Sequence, residues 1–237
     1  MELYLKSLDI KKREIPKDDY IQNLPLIKNW KKLDFKRPIT MLVGENGLGK
    51  STLIEAVAMG WGFNAQGGSI NFNFKNRQTE SDLNRYIIMV KSPYRPKDGY
   101  FFRAESFYNL ASIVDDLGII KAYGGKSLHN QSHGESFLSI FFKRFIGKGF
   151  YILDEPEAAL SPVSQMSLLI RINQLVNQNS QFLIATHSPI LLASPNAQIF
   201  EIRENGIFEK KYFETEHYQV MKNFFENTNK FLDLLIN

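Results

Sequence analysis

Val43-Gly-Glu-Asn-Gly-Leu-Gly-Lys-Ser-Thr52 follows the apolar run Ile39, Met41, Leu42 and Val43, and it opens onto Leu53, Ile54, Ala56, Val57 and Ala58. Gly44, Gly49, Lys50 and Ser51 stand at the G-x-x-x-x-G-K-S spacing of a phosphate-binding loop. Glycines at these places let consecutive backbone N–H groups turn inward around an anion, and the next helix adds the positive end of its dipole. Gly44, Glu45, Asn46, Gly47, Leu48, Gly49, Lys50, Ser51 and Thr52 are the predicted cradle. Lys50 is predicted to reach the β- and γ-phosphates, and the Ser51 hydroxyl to take one position on Mg²⁺. A buried strand before the loop and a helix after it give the motif its required context. A nucleoside triphosphate is the expected ligand.

Composition fits such a domain. The chain has 237 residues, 43% of them hydrophobic, which is ample for one large core over residues 1–237. It contains no cysteine, so disulfides and thiolate-held metals are excluded. Met1-Glu-Leu-Tyr-Leu-Lys6 lacks the design of a signal peptide, and no apolar stretch approaches the roughly 20 residues that span a bilayer. A cytoplasmic protein without membrane insertion is expected. The net charge of +4 is too small to argue for nucleic acid by itself.

Along the chain, Leu3 to Ile10 and Leu33 to Phe35 are expected strands before the loop. Gly60 to Lys75 should hold a turn and a strand, Tyr86 to Val90 and Tyr100 to Arg103 two more strands, and Glu105 to Leu117 a helix. Phe150 to Leu153 and Gln181 to Ala185 look like buried parallel strands around a helix at Ser164 to Asn177. Ile199 to Arg203 and Ile207 to Tyr212 form an expected hairpin at Asn205-Gly206, followed by one amphipathic helix from His217 to Leu235.

Three further pieces narrow the chemistry. Phe150-Tyr-Ile-Leu-Asp154-Glu155-Pro156 is an apolar strand ending in adjacent carboxylates. Asp154 at the tip suits Mg²⁺, usually through water, and Glu155 can polarise a water in line with the γ-phosphate. The structural alternative, two acids capping a strand, loses weight beside a phosphate loop. Ile184-Ala-Thr-His187 is a second such strand, and it sets His187 at a tip where open α/β sheets bind ligands. Finally, Ser132 and Glu135 in Gln131-Ser-His-Gly-Glu135 have the spacing of a capping box at a helix start. That geometry also offers a hydroxyl, free N–H groups and a dipole to an anion.

In this order the four elements resemble the ABC-type ATPases. Gly44 to Thr52 matches the family's Walker A, Ser132 to Glu135 its Leu-Ser-Gly-Gly-Gln signature, Tyr151 to Pro156 its Walker B, and His187 its switch histidine. The similarity covers roughly Leu3 to Arg203. It implies an α/β fold of the P-loop NTPase class, an ABC-ATPase-like mixed sheet flanked by helices, with an antiparallel subsheet near the N-terminus. A small helical signature subdomain is implied at about residues 106–148. The resemblance further implies ATP and Mg²⁺ as cofactors, Ser51 and Asp154 on the metal, and Lys50, Glu155 and His187 as catalytic residues. It implies a nucleotide-sandwich homodimer in which Ser132, Gly134 and Glu135 of one subunit close on ATP held by the other.

Within the family, Asp154 to Pro162 and Ala185 to Pro189 look most like the non-transporter branch. That branch includes DNA-repair and chromosome-maintenance ATPases, recombination mediators and the ATPase part of overcoming-lysogenization-defect nucleases. Arg103-Ala-Glu-Ser-Phe107 and Tyr123-Gly-Gly-Lys-Ser127 are similar to a group of short stand-alone predicted ATPases. Departures are visible: His133 replaces the first signature glycine, Glu135 the glutamine, and Ser161 the usual D-loop aspartate. Glu105 is the positional candidate for the missing Q-loop glutamine, and Tyr4 and Phe35 are the candidates for stacking on adenine.

The expected function is an ATP-hydrolysing switch acting in DNA repair or maintenance, or in bacterial defence, with nucleic acid or an effector protein as partner. Only 81 residues lie between Lys50 and Ser132, which leaves no room for a long coiled coil. The rival readings are a transporter ATP-binding subunit and an interaction module that binds ATP without turnover.

Overall fold

The computed structural model describes residues 2–69, 82–107 and 133–236. In chain order its strands are β1 (Leu5–Ile10), β2 (Leu33–Asp34), β3 (Ile39–Val43), β4 (Ile87–Lys91), β5 (Asp98–Arg103), β6 (Gly149–Asp154), β7 (Gln181–Ala185), β8 (Ala197–Arg203) and β9 (Gly206–Lys210). A six-stranded sheet has the order β5-β6-β7-β3-β8-β9, and a three-stranded sheet the order β2-β1-β4. Neighbours in the larger sheet run parallel except β8 and β9, while both pairs in the smaller one are antiparallel. This is the mixed α/β sheet expected, with its antiparallel subsheet near the N-terminus.

The described helices are α1 (Pro25–Lys28), α2 (Lys50–Trp61), α3 (His133–Ser139), α4 (Pro162–Asn177), α5 (Pro189–Leu192), α6 (Glu216–Glu226) and α7 (Thr228–Ile236). They explain why the central strands are apolar on both faces. Alternate residues of a strand point to opposite sides, and here each side has a core. Leu42, Phe101, Phe150, Ile152 and Leu183 face α2 and the small sheet, where Leu53, Ile54, Val57, Leu5 and Leu8 meet them. Met41, Tyr100, Phe102, Tyr151, Leu153 and Ile184 face Leu168, Ile172 and Leu175 of α4, together with Phe137 and Phe141. Each fully buried aliphatic or aromatic side chain contributes about 1.5–3 kcal/mol. Both faces of the central strands are therefore pinned.

Buried polar side chains join the layers. Gln181 accepts a hydrogen bond from the Leu5 N–H at 2.9 Å and donates to the Leu5 carbonyl at 2.8 Å, so its amide acts as a strand partner for β1. Gln198 does the same for the turn after β2, accepting from Lys36 N at 2.9 Å and donating to the Asp34 carbonyl at 3.1 Å. Asp98 collects the Arg144 guanidinium at 2.8 Å and the Tyr151 hydroxyl at 2.6 Å. That network fastens the π-helical turn Ile140–Arg144, which continues α3, to the start of β5.

Several boundaries differ from expectation. The helix expected from Ser164 starts at Pro162, because Ser161 caps it by accepting from Ser164 N at 3.3 Å. The strand expected at Tyr86 to Val90 is shifted to Ile87–Lys91. The single C-terminal helix is two. Asn227, at φ −136° and ψ 36°, leaves helical geometry between α6 and α7, although the apolar spacing continues through it. Its own N–H and the Thr228 hydroxyl return to carbonyls of the preceding turn, including that of Phe224. α2 ends at Gly62, where φ 110° allows its N–H to close on the Ala58 carbonyl at 3.1 Å. Ala104–Ser106 is a short 3₁₀ turn. The expected strand at Phe72 and Phe74 and the remainder of the 105–117 helix lie outside the described residues. Among the described residues no helix is long and apolar enough to cross a membrane.

Candidate functional site

Strand register brings the predicted residues to one edge. Arg103 pairs with Asp154, Asp154 with Ala185, and Ala185 with Leu42, so a single row crosses β5, β6, β7 and β3. The chain leaves these strands through Gly44, Glu155 and His187, all at the carboxyl ends where such sheets bind ligands.

The loop after β3 needs its glycines for stated reasons. A Cβ on Gly44, at φ 151°, would lie 2.3 Å from the Ile202 carbonyl oxygen. Gly49, at φ 99°, is left-handed and sits against Leu24 and Leu26, where a Cβ would come within 3.3 Å of the Leu26 Cβ. Lys50 begins α2 and is only 4% exposed. Its Nζ donates to the carbonyls of Gly44 and Glu45, each at 2.7 Å. Burial lowers its pKa, against the carboxylates of Glu155, Asp154, Glu157 and Glu45. A phosphate tail offers this ammonium stronger, charged acceptors than two carbonyls. Leu24, Asn46, Gly47, Gly49, Lys50, Ser51, Thr52 and Glu155 line a cleft of about 180 Å³ over the loop. Larger hollows of about 510 and 600 Å³, by the ends of β8 and β9 and by Lys12 to Gln22, hold none of the predicted site residues.

Ser51 Oγ donates to Asp154 Oδ1 at 3.1 Å. A hydroxyl and a carboxylate side by side are hard oxygen donors and fit Mg²⁺, which takes few protein ligands and completes its shell with phosphate and water. Among the described residues no group of three or more His, Cys, Asp or Glu gathers around a metal position, in keeping with so sparse a set. Burial raises the Asp154 pKa to about 7, while Arg103 and Ser51 oppose the rise and Glu155 and Glu105 add to it. A divalent cation there would favour the ionised form.

Glu155 has φ 49°, a left-handed backbone that costs a non-glycine residue about 1–3 kcal/mol. Its N–H donates to the Ala185 carbonyl at 3.0 Å, which ties this turn to the tip of β7. The carboxylate, partly exposed, lies 3.6 Å from His187 Nε2. His187 is held from two sides. Its backbone N–H donates to Glu157 Oε1 at 2.6 Å, and its Nδ1 lies 3.2 Å from His217 Nε2. Burial, then Lys50 and His217, push its pKa down to about 4. His217 is lowered too, by burial and Lys50. Both imidazoles are therefore neutral at neutral pH.

Neutral half-buried histidines have a thermodynamic consequence. Their folded pKa values lie below the unfolded value, so the unfolded chain binds more protons between the two. Their contribution to stability is present above about pH 6.5 and declines as pH falls toward about 4. Asp154 and Glu157, raised by burial, work in the opposite sense. The wild-type chain is expected to lose more stability between about pH 7 and about pH 5 than a His187→Gln/His217→Gln double variant. Urea midpoints at the two pH values measure this difference, because the carboxylates are common to both proteins. Equal losses would contradict the assigned shifts.

Three contributors escaped the sequence reading. Glu157 is the third acid of the Asp-Glu-Pro-Glu run. His217 heads α6, far along the chain. Arg103 stands beside Asp154, its Nε 3.8 Å from Oδ2, with Nη1 bound to Glu55 on α2. Glu105, the candidate Q-loop position, is exposed and bonded to Arg103 at 3.3 Å. The guanidinium stands between it and Asp154, whose pKa Glu105 helps to raise.

Tyr4 and Phe35 are corrected as adenine platforms. Both are buried in the core between the sheets, and the Tyr4 hydroxyl donates to the Asn179 carbonyl at 3.0 Å. Of the signature, Ser132 lies outside the described residues, as does Tyr123 to Ser127. Gly134 is in the first turn of α3, where a Cβ would sit 3.3 Å from the Ala159 carbonyl, and Glu135 is exposed.

Residues 20–117 match a family model described as an AAA domain, and residues 136–193 match one described as an AAA domain, putative AbiEii toxin, Type IV TA system. The cobalt import ATP-binding protein CbiO of Salmonella typhimurium is 23% identical over 206 residues, which are 78% of this chain and 75% of that protein. Among solved structures, an SmcHead bound to the C-winged helix domain of ScpA aligns with a TM-score of 0.51 and 14% identity. The alignment covers 88% of this chain and 98% of that one, and it shows the shared fold. The cbiO1 protein of Clostridium perfringens aligns with a TM-score of 0.48 and 19% identity, over 84% of this chain and 88% of its own. Two ATPase-domain models thus match in succession, over strands whose tips converge on one phosphate-loop cleft, and the likeness is to AAA/ABC-type P-loop ATPase domains.

Proposed function

We propose that this domain binds ATP with Mg²⁺ and hydrolyses it, closing as a head-to-tail homodimer around the nucleotide and opening after hydrolysis. One observation carries the reading. Lys50, Ser51, Asp154, Glu155 and His187, drawn from three separate segments, share one cleft edge. Backbone amides of the loop and Lys50 hold the β- and γ-phosphates. Ser51 and Asp154 hold Mg²⁺, which when bound offsets charge on the phosphate oxygens. Glu155, at the mouth, takes the proton of the attacking water. His187 turns Nε2 to the same place and can donate to a phosphate oxygen or to that water. The unit is a single domain over 1–237, with the helical portion at about 106–148 carrying the signature.

In this reading Ser132, Gly134 and Glu135 act on the partner's nucleotide, adding hydroxyl, N–H groups and a helix dipole where charge develops. The test mixes Lys50→Ala with Ser132→Arg subunits and follows phosphate release. Each variant alone carries a defect in both composite sites and should be inactive. In the mixed dimer both lesions fall at one site and the other is intact, so part of the wild-type rate is expected to return. No recovery in demonstrated heterodimers would count against action across the dimer.

For the biological role we favour bacterial defence or DNA maintenance in the cytoplasm, with nucleic acid or an effector protein as partner. The AbiEii description of the second model supports it. The similarity to CbiO favours a second reading, an ATP-binding subunit for a membrane partner. Co-purification from native cells separates the two: a membrane protein would support the second, nucleic acid or a soluble effector the first.

A further inference from the structure

We propose that His217 is a positioning residue that fixes the tautomer and orientation of His187, an inference that rests on reading the cleft as an ATP site. The contact joins two elements whose sequences give no hint of it. His187 follows β7, and His217 lies in the first turn of α6. Their rings approach to 5.3 Å between centroids, and Nδ1 of His187 meets Nε2 of His217 at 3.2 Å.

The start of α6 is firmly held. Thr215 caps it, wholly buried, and the Glu216 N–H donates to the buried Glu201 Oε1 at 2.7 Å. Glu201 also binds Arg203 at 2.7 Å, so β8 anchors the helix that presents His217. On the other side, His187 is fixed by Glu157 through its backbone. Its Nε2 is buried and has no hydrogen-bond partner among the described residues, 3.6 Å from Glu155 Oε1.

Two neutral imidazoles in contact share one N–H between them, and its side decides what faces the cleft. If His187 gave that proton, its Nε2 would turn a bare lone pair toward the Glu155 carboxylate and the anionic γ-phosphate. If His217 gives it, His187 carries its proton on Nε2 and presents a donor to those same oxygens. Lys50, Glu155 and Glu157 face the pair from the cleft, and Glu201, Glu216 and Glu45 surround His217. The carboxylate beside Nε2 favours the second arrangement. In this arrangement His217 acts through His187.

Long-range ¹H–¹⁵N spectra of the full chain read the tautomer directly, and only four histidines need assignment. In wild type, His187 is expected as the Nε2–H form. Glutamine at 217 places an amide N–H near the same point, so His217→Gln should keep that form and most of the ATPase rate. His217→Leu removes the donor. With no donor at Nδ1 the tautomer is no longer locked, so a share of the Nδ1–H form should appear beside the Nε2–H form, and kcat should fall on the order of 10-fold or more with KM for ATP little changed. His217→Asn, too short to reach, should behave like the leucine variant if the latter does not fold. An Nδ1–H tautomer of His187 in wild type, or a leucine or asparagine variant that keeps both tautomer and rate, would overturn the proposal. A wild-type chain that releases no phosphate yet shows the tautomer change would sink the ATPase reading and uphold the positioning role.

Discussion

Lys50→Ala is expected to release no phosphate from ATP and to bind the nucleotide on the order of 100-fold more weakly. The magnitude follows from the position. Lys50 is buried at the first turn of α2, and its ammonium lies within reach of everything that leaves the strand tips. A hydrogen bond to a charged group is worth about 1.5–3 kcal/mol, and in the proposed reading the lysine would supply such bonds to both phosphates. The backbone cradle survives the substitution, because Gly44 and Gly49 are set by their packing against Ile202, Leu24 and Leu26. Residual weak binding without turnover is thus the expected calorimetric result. Wild-type affinity would show that ATP sits elsewhere.

Glu155→Gln keeps the size and the left-handed turn while removing the base. Loss of a general base typically lowers rates about 10²- to 10⁴-fold, and a fall in that range is expected. Because the amide leaves the phosphate loop intact, ATP should accumulate unhydrolysed and hold the dimer shut. Light scattering should show a doubling of mass only when Mg²⁺ and ATP are present. Hydrolysis at the wild-type rate would remove Glu155 from the mechanism.

Much of this site could be read in the sequence because its signals are local. An apolar run ending in glycines or acids marks a strand tip whatever surrounds it, so Gly44 to Thr52, Asp154, Glu155 and His187 all stood out. What escaped depends on contacts between distant segments. Arg103 matters through the register of β5 against β6, and His217 through the docking of α6. Gln181 and Gln198 have a polarity that suits exposed ends, yet both are buried because each serves as hydrogen-bonding edge for the neighbouring sheet. Tyr4 and Phe35 show the converse. An aromatic side chain is equally suited to core and ligand face, and only burial distinguished them. The break at Asn227 was masked by apolar spacing that runs through it.

The row from Arg103 through Asp154 and Ala185 to Leu42 also bears on how the chain acquires its activity. Each pairing joins segments far apart in sequence, and β3 meets β7 only after most of the chain lies between them. Such contacts repay their loop-closure entropy late, and parallel pairing of this kind is intrinsically slow. The loop and α2 are contiguous and can form early, but alone they lack Asp154, Glu155 and His187. The complete cleft is therefore a product of sheet closure, and ATP, bound there as proposed, would stabilise the finished fold far more than any precursor by mass action.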